Sequence, residues 1–340
     1  MFRKAAWAVV ITAAMAVLTG CVPASEPPTA TKTSTGASTV LLEYAPSDAS
    51  TGEGHLLHLY LPPRKAGERV PLIVWTGGNG WLRDDGGDSG ESVAQLFVPE
   101  GYAVAGVNLR SSAQSTFPAQ LTDMQAAIHF LRVNADKYGL DPHRFGVAGD
   151  SSGGWAALMV ALTEPDGGAA GAPRENPVDA VAAFFPPTDF ATMDSDLPRA
   201  CAGPPKTNIS SCTADASSPV SRLLGCALLT CPAALVQAAS PLTFVDGHDP
   251  PMLLLHGQLD ESVGWQQSQR LFDSARAAGA TAQLILIPRG RHNEASQFLY
   301  SGAVGVGATS TTTIGGSATP PAPIELGPDV LVDFFDQALR

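Results

Sequence analysis

The sequence predicts an α/β fold: a mostly parallel central sheet with helices on both faces and a disulfide-stapled insertion. Three observations carry this reading. Short apolar runs alternate with longer stretches of near-helical apolar spacing along most of the chain. Residues 71–76 (PLIVWT) form a continuous apolar run, as expected for a strand buried on both faces. Residues 142–163 (PHRFGVAGDSSGGWAALMVALT) read as a strand, a sharp glycine turn and a helix.

In chain order, residues 39–44 and 55–61 predict strands, the second stopped by Pro62 and Pro63. The run 71–76 enters Gly77-Gly78-Asn79-Gly80-Trp81 and then a polar, Asp/Gly-rich loop. A helix over 91–99 and a buried strand over 102–108 follow. Leu121, Met124, Ala127, Ile128, Leu131 and Val133 recur at near-helical spacing and predict one long helix over 118–138. The strand 145–148 breaks at the glycine turn, and the helix 155–162 continues from it.

After a strand over 178–185, residues 190–245 break the rhythm. They hold four cysteines, many Pro, Ser and Ala, and one short apolar helix candidate around 223–229. This stretch is expected to be an insertion that forms a lid over the site. Alternation resumes with strand 251–255, helix 264–278 and strand 283–287. Residues 301–324, rich in Gly, Ser, Thr, Ala and Pro, predict a mobile low-complexity loop, and 329–339 an amphipathic closing helix.

The N-terminus reads as a targeting segment. Arg3 and Lys4 precede an apolar stretch over 5–17 that is too short to span a bilayer. It ends in Leu18-Thr19-Gly20-Cys21, which resembles the bacterial lipobox, where the cysteine is lipid-modified and becomes the new N-terminus. The expectation is a lipoprotein signal peptide over 1–20, then a flexible tether over 21–38 that begins at lipidated Cys21. A folded domain over 39–340 would then be exported and anchored on the extracytoplasmic side of the membrane.

With Cys21 so used, Cys201, Cys212, Cys226 and Cys231 remain, an even set that suits two disulfides in an oxidising compartment. Three pairings are possible, and short loops favour Cys201–Cys212 with Cys226–Cys231. Neither C-x-x-C nor a His-x-x-x-His partner is present, which argues against a zinc site. The 32 acidic residues outnumber 20 basic ones, for a net charge of −12, and no long basic run occurs. Nucleic acid and anionic membrane surfaces are therefore poor candidates for the main partner.

Gly149-Asp150-Ser151-Ser152-Gly153 is a G-x-S-x-G pattern, and its strand-turn-helix context makes Ser151 a candidate nucleophile. A serine needs a base to take its proton and an acid to orient that base. With this turn the chain order is Ser, then acid, then His. The strand 251–255 runs into His256-Gly257-Gln258-Leu259-Asp260, which places Asp260 at a strand's C-terminal edge, with Glu261 as its rival. His256 reads as a structural residue that supports this turn. The next strand runs into Pro288-Arg289-Gly290-Arg291-His292, and His292 is the only histidine after Asp260. An oxyanion hole would draw on the Ser152 N–H and on the glycine-rich loop 77–81, where backbone can approach a ligand closely. The chemistry requires no metal and no organic cofactor.

PLIVWTGGNGW, FPAQLTDMQAAIHFLRVNADKYGLDPHRFGVAGDSSGG, FFPPTDF, PMLLLHGQLDESV and RGRHN together resemble an α/β-hydrolase of the esterase/lipase superfamily. The likeness covers residues 40–189 and 250–300, and is closest to the carbohydrate-esterase-like branch with feruloyl and acetyl-xylan esterases and relatives of hormone-sensitive lipase. It implies Ser151 as nucleophile, Asp260 as acid, His292 as base and the Ser152 N–H as an oxyanion donor. The usual His-Gly-Gly-Gly loop is altered: Gly77 replaces the histidine if Trp81 is aligned, and Thr76 replaces it if the strand is aligned. The Asn79 N–H is an expected donor under both alignments, whereas Gly78 and Gly80 each fit only one.

The resemblance implies a serine carboxylic-ester hydrolase acting through an acyl-enzyme on a small-molecule or carbohydrate-linked ester. A peptidase of the same fold shares the triad order, although no propeller-like repeats precede the domain. A catalytically inactive binding protein on this scaffold is the third reading, and the altered loop is its support.

Overall fold

The computed structural model describes residues 31–32, 38–163, 178–197, 212–292 and 306–340. The expected signal peptide, Cys21, most of the tether and Cys201 lie outside the described residues. Strands β1 (Ser38–Glu43), β2 (Leu56–Leu61), β3 (Val70–Thr76), β4 (Ala103–Val107), β5 (Leu140–Asp150), β6 (Ala180–Phe184), β7 (Met252–Gly257), β8 (Ala282–Ile287) and β9 (Thr309–Ile314) share one sheet. Their spatial order is β1-β2-β4-β3-β5-β6-β7-β8-β9. Every neighbouring pair from β4 to β8 is parallel. Antiparallel pairs close both ends, β1-β2 and β2-β4 on one side and β8-β9 on the other.

The predicted α/β architecture is what the chain adopts. All residues of β3, β4, β6 and β7 are buried, which explains their unbroken apolar character. Helices α1 (Gly90–Phe97), α2 (Ala119–Val133), α3 (Ser152–Leu162), α4 (Pro219–Leu224), α5 (Gln266–Ala278) and α6 (Asp329–Leu339) flank the sheet or its connections. On one face, Phe97 of α1 and Phe335 of α6 pack with Ile73 and Val104. On the other, Met124 and Ile128 of α2, Trp155 of α3 and Leu271 of α5 pack with Leu72 and Val147. Every residue of α3 is buried, so this helix is apolar all round and is the centre of the second core. The sequence leaves β3 with β4 on one side and β5 on the other, and ligands in such sheets bind outside the strand ends at this kind of reversal.

Three local expectations need correction. The helix expected over 118–138 ends at Val133, and a separate turn covers Ala135–Tyr138. Asn134 ends it by leaving the helical conformation, with φ −95° and ψ 13°, while its side-chain amide and its N–H both donate to the Phe130 carbonyl, at 2.8 and 3.1 Å. The helix candidate at 223–229 lies earlier, at Pro219–Leu224, because Ser218 caps it by accepting from the Ser221 N–H at 3.0 Å and Pro219 opens it.

The low-complexity stretch over 301–324 contains β9, which pairs with β8 from Thr309↔Leu286 to Thr313↔Ala282. Its TSTTTI sequence is rich in β-branched threonine, and Gly315-Gly316, both at positive φ, turn the chain back into Ser317–Ala318. Low complexity hid a real strand.

The insertion between β6 and β7 is anchored at its base. The fully buried Gln267 of α5 accepts the Thr188 N–H at 2.8 Å and donates to Asp196 at 2.6 Å. Asp194 receives the N–H groups of Thr213 and Ala214 at 2.6 and 2.9 Å. Cys226 and Cys231 are disulfide-bonded to each other. Cys212 is also in a disulfide, and the Cys201 half of the expected pairing lies outside the described residues.

Candidate active site

β5 delivers Ser151 to the strand's C-terminal edge through a turn that only its flanking glycines permit. Ser151 has φ 51° and ψ −121°, a positive φ that a non-glycine residue rarely adopts. A Cβ on Gly149 would collide with the Gly153 backbone, and one on Gly153 with the Thr76 carbonyl. The turn is held by the Ser151 N–H donating to the Phe184 carbonyl at 2.8 Å and the Trp155 N–H donating to Ser151 at 3.0 Å.

Two further loops, after β7 and β8, bring Asp260 and His292 to the same edge. They are laced together by the Gln258 N–H to the Ile287 carbonyl at 2.8 Å and the Leu259 N–H to the Gly290 carbonyl at 2.9 Å. His292 Nδ1 lies 2.7 Å from Asp260 Oδ2, and His292 Nε2 lies 3.0 Å from Ser151 Oγ. A carboxylate can only accept, so Nδ1 carries the hydrogen and the Nε2 lone pair faces the serine hydroxyl. The Phe185 ring packs on His292 with centroids 4.6 Å apart, and its backbone also has a positive φ, 41°. Glu261, the rival acid, is exposed and reaches towards Arg291 at 3.9 Å instead.

Asp260 is buried, and its environment is built for charge. Burial alone would raise its pKa, but hydrogen bonds from His256 and His292 hold the carboxyl well below the usual carboxylate range. Its second oxygen accepts the N–H groups of Ser262 and Val263 at 2.8 and 2.9 Å. His256 is the supporting residue expected from the sequence. Its Nε2 donates to the Val263 carbonyl at 2.9 Å and lies 3.3 Å from Asp260, while Nδ1 accepts from Ser268 at 2.7 Å.

The loop after β3 faces the elbow, but its N–H groups are directed differently from expectation. Gly78 donates to Asp150 Oδ1 at 2.6 Å, and a Cβ on Gly78 would sit 2.5 Å from Ser151 Cβ. Asn79 and Gly80 both donate to Ser152 Oγ at 3.0 Å. The Asn79 side chain points away from the site, donating to the Arg83 carbonyl at 3.0 Å and Asp85 at 3.2 Å. Trp81 then plugs the loop into the core, edge-on to both Trp155 and Phe190. Burial raises the Asp150 pKa, with the Gly78 bond and the nearby His292 opposing it.

Asp150, Phe185 and the Ser152 hydroxyl are participants that the sequence reading did not single out. Asp150 stood inside the quoted motif, and its place directly before Ser151 was the only available signal.

Ser151, Ser152 and His292 border a cavity of about 350 Å3. Met193, Thr213 and Val220 from the insertion form part of its wall, as does Val263. Among the described residues, no group of three His, Cys, Asp or Glu side chains is placed to hold a metal ion.

The sequence model of the BD-FAE family matches residues 57–274. Among curated proteins, the chain is similar to the esterase LipQ of Mycobacterium tuberculosis, with 25% identity over 251 residues, 71% of this chain and 54% of that protein. The chain spans about half the length of the curated relatives it matches over most of its own. Among solved structures, a truncated carbohydrate esterase from gut microbiota gives a TM-score of 0.62 at 30% identity, over 78% of this chain and 92% of that one. Thermogutta terrifontis esterase 2 shares the fold at a TM-score of 0.56 and 20% identity, over 74% of this chain and 84% of that one.

Proposed function

Because the chain belongs to the BD-FAE family and has the α/β-hydrolase fold, we propose that it is a serine carboxylic-ester hydrolase. The observation that carries this reading is the pair of hydrogen bonds from Asp260 through His292 to Ser151, at 2.7 and 3.0 Å. Ser151 Oγ attacks the ester carbonyl as His292 Nε2 takes its proton. Asp260, held as a carboxylate, stabilises the imidazolium that forms. The Ser152 N–H, at the first position of α3, has no intrahelical acceptor and is available to the developing oxyanion. His292 then protonates the leaving alcohol, and water activated by the same histidine releases the acyl group from Ser151.

The substrate class proposed is a small-molecule or carbohydrate-linked ester, in keeping with the carbohydrate esterase among the structural relatives. The insertion acts as a lid whose residues set the acyl or alcohol range, since Met193, Thr213 and Val220 wall the cavity. A panel of p-nitrophenyl esters from acetyl to octanoyl, run beside a peptide p-nitroanilide, tests both points. Short esters are expected to be hydrolysed and the anilide left intact; the reverse preference would favour the peptidase. Val220→Phe is expected to cost long acyl chains about tenfold more in kcat/KM than acetyl. An equal loss across the panel would contradict the lid.

The lipobox-like Leu18–Cys21 supports export and lipid anchoring of this enzyme. Globomycin is expected to leave a larger precursor. Unchanged migration, with no labelling by a fatty-acid probe, would contradict the anchor.

A further inference from the structure

The catalytic scheme leaves the Ser152 hydroxyl without a role, although it lies at the junction of the elbow and the loop opposite. The residue is 5% exposed, and its oxygen receives the N–H groups of both Asn79 and Gly80 at 3.0 Å. A hydroxyl oxygen has two acceptor positions, and these two bonds fill them. Among the described residues, no protein acceptor receives the hydroxyl hydrogen. A buried polar hydrogen is costly to leave unpaired, so its natural acceptor is one that arrives with the substrate. Ser152 borders the same cavity as Ser151 and His292, where an ester carbonyl must sit for attack.

The three candidate loop donors are all received by elbow side chains, Gly78 by Asp150 and the other two by Ser152. The dipoles of the Asn79 and Gly80 N–H groups therefore reach the cavity through Ser152. We propose that Ser152 Oγ–H is a direct donor to the oxyanion, beside the Ser152 N–H, with the Asn79 and Gly80 N–H groups polarising it from behind. This deepens the serine-hydrolase reading and rests on it.

No proton leaves Ser152. Its hydrogen stays on Oγ, and the bond to the carbonyl oxygen shortens and strengthens as negative charge develops there. Two N–H bonds into a hydroxyl oxygen make its own hydrogen a stronger donor. The arrangement also accounts for the loop's departure from an all-glycine pattern. If the loop backbone serves the oxyanion through a hydroxyl, position 79 can carry a side chain, and the asparagine amide turns away to Arg83 and Asp85.

Ser152→Ala removes the proposed donor and leaves the triad in place. The expected result with p-nitrophenyl acetate is a fall in kcat of about 100-fold with KM within about twofold. The inhibition constant of an alkyl boronic acid, which forms a tetrahedral adduct on the nucleophile, should rise by a similar factor. Ser152→Thr keeps the hydroxyl and is expected to retain kcat within about tenfold, with melting temperatures checked for both variants.

Unchanged or increased kcat in Ser152→Ala would overturn the proposal, because the loop N–H groups would then bind the oxyanion themselves and the hydroxyl would merely plug them. An equal loss in a folded Ser152→Thr variant would overturn it too. Hydrolysis retained in Ser151→Ala would remove the underlying serine-hydrolase reading. Hydrolysis lost there but intact in Ser152→Ala would remove only this inference.

Discussion

Ser151→Ala is expected to lower kcat for a short-chain p-nitrophenyl ester by about a million-fold, to the level that binding and oxyanion donors supply alone. The size follows from geometry. Ser151 Oγ is the atom held 3.0 Å from His292 Nε2 at the end of a strained turn. Alanine keeps the backbone and the cavity but has no atom to form the acyl-enzyme. In the proposed mechanism the three residues act as a unit, so Ser151→Ala combined with His292→Ala should be no slower than Ser151→Ala alone. A steady-state assay with stringent control for contaminating esterase reads both. A loss below about tenfold would mean that another group performs the attack.

Asp260→Asn is expected to cost about 10,000-fold in kcat while leaving KM for the same ester nearly unchanged. The reason lies in what surrounds the carboxyl. Oδ1 accepts two backbone N–H groups, from Ser262 and Val263, so an amide oxygen must take that side. The amide NH2 is then forced to the position of Oδ2, facing His292 Nδ1 and the donating Nε2 of His256. It would stabilise the His292 tautomer with its hydrogen on Nε2, which cannot accept the Ser151 proton.

The same carboxylate links stability to pH. Its folded pKa lies below the ordinary range because the two histidines outweigh burial. A depressed folded value gives stabilisation that is complete above the unfolded pKa of about 3.9 and is lost as pH falls through the folded one. Asp260→Asn should therefore be less stable than the parent in urea at pH 7, with a gap that closes only below about pH 4. A gap that widened on acidification would contradict this account of Asp260.

The elbow was legible because its constraint is local: a strand, two glycines around Ser151 and a buried helix all lie within 142–163. Asp260 and His292 were legible for a different reason. Successive parallel strands bring their C-terminal loops to one edge, so chain order stands in for position. The break at Asn134 was missed because helical spacing continues through it, and β9 because composition outweighed the threonine run. The direction of the loop N–H groups was beyond reach. Gly78 and Asp150 are 72 residues apart, and Asn79 and Ser152 are 73 apart. No periodicity encodes which hydroxyl or carboxylate will receive a backbone donor across such a distance. The altered loop therefore read as a weakness from sequence, whereas in the structure Ser152 and Asp150 are its partners.

Covalent labelling is the sharpest test of Ser151 as an activated nucleophile. The protein is treated with a fluorophosphonate and digested, and the adduct is located by peptide mass spectrometry. The expected result is one adduct per chain, on Ser151 within the peptide that spans the elbow, and none in Ser151→Ala. No adduct on the folded protein, or an adduct on another serine, would contradict it.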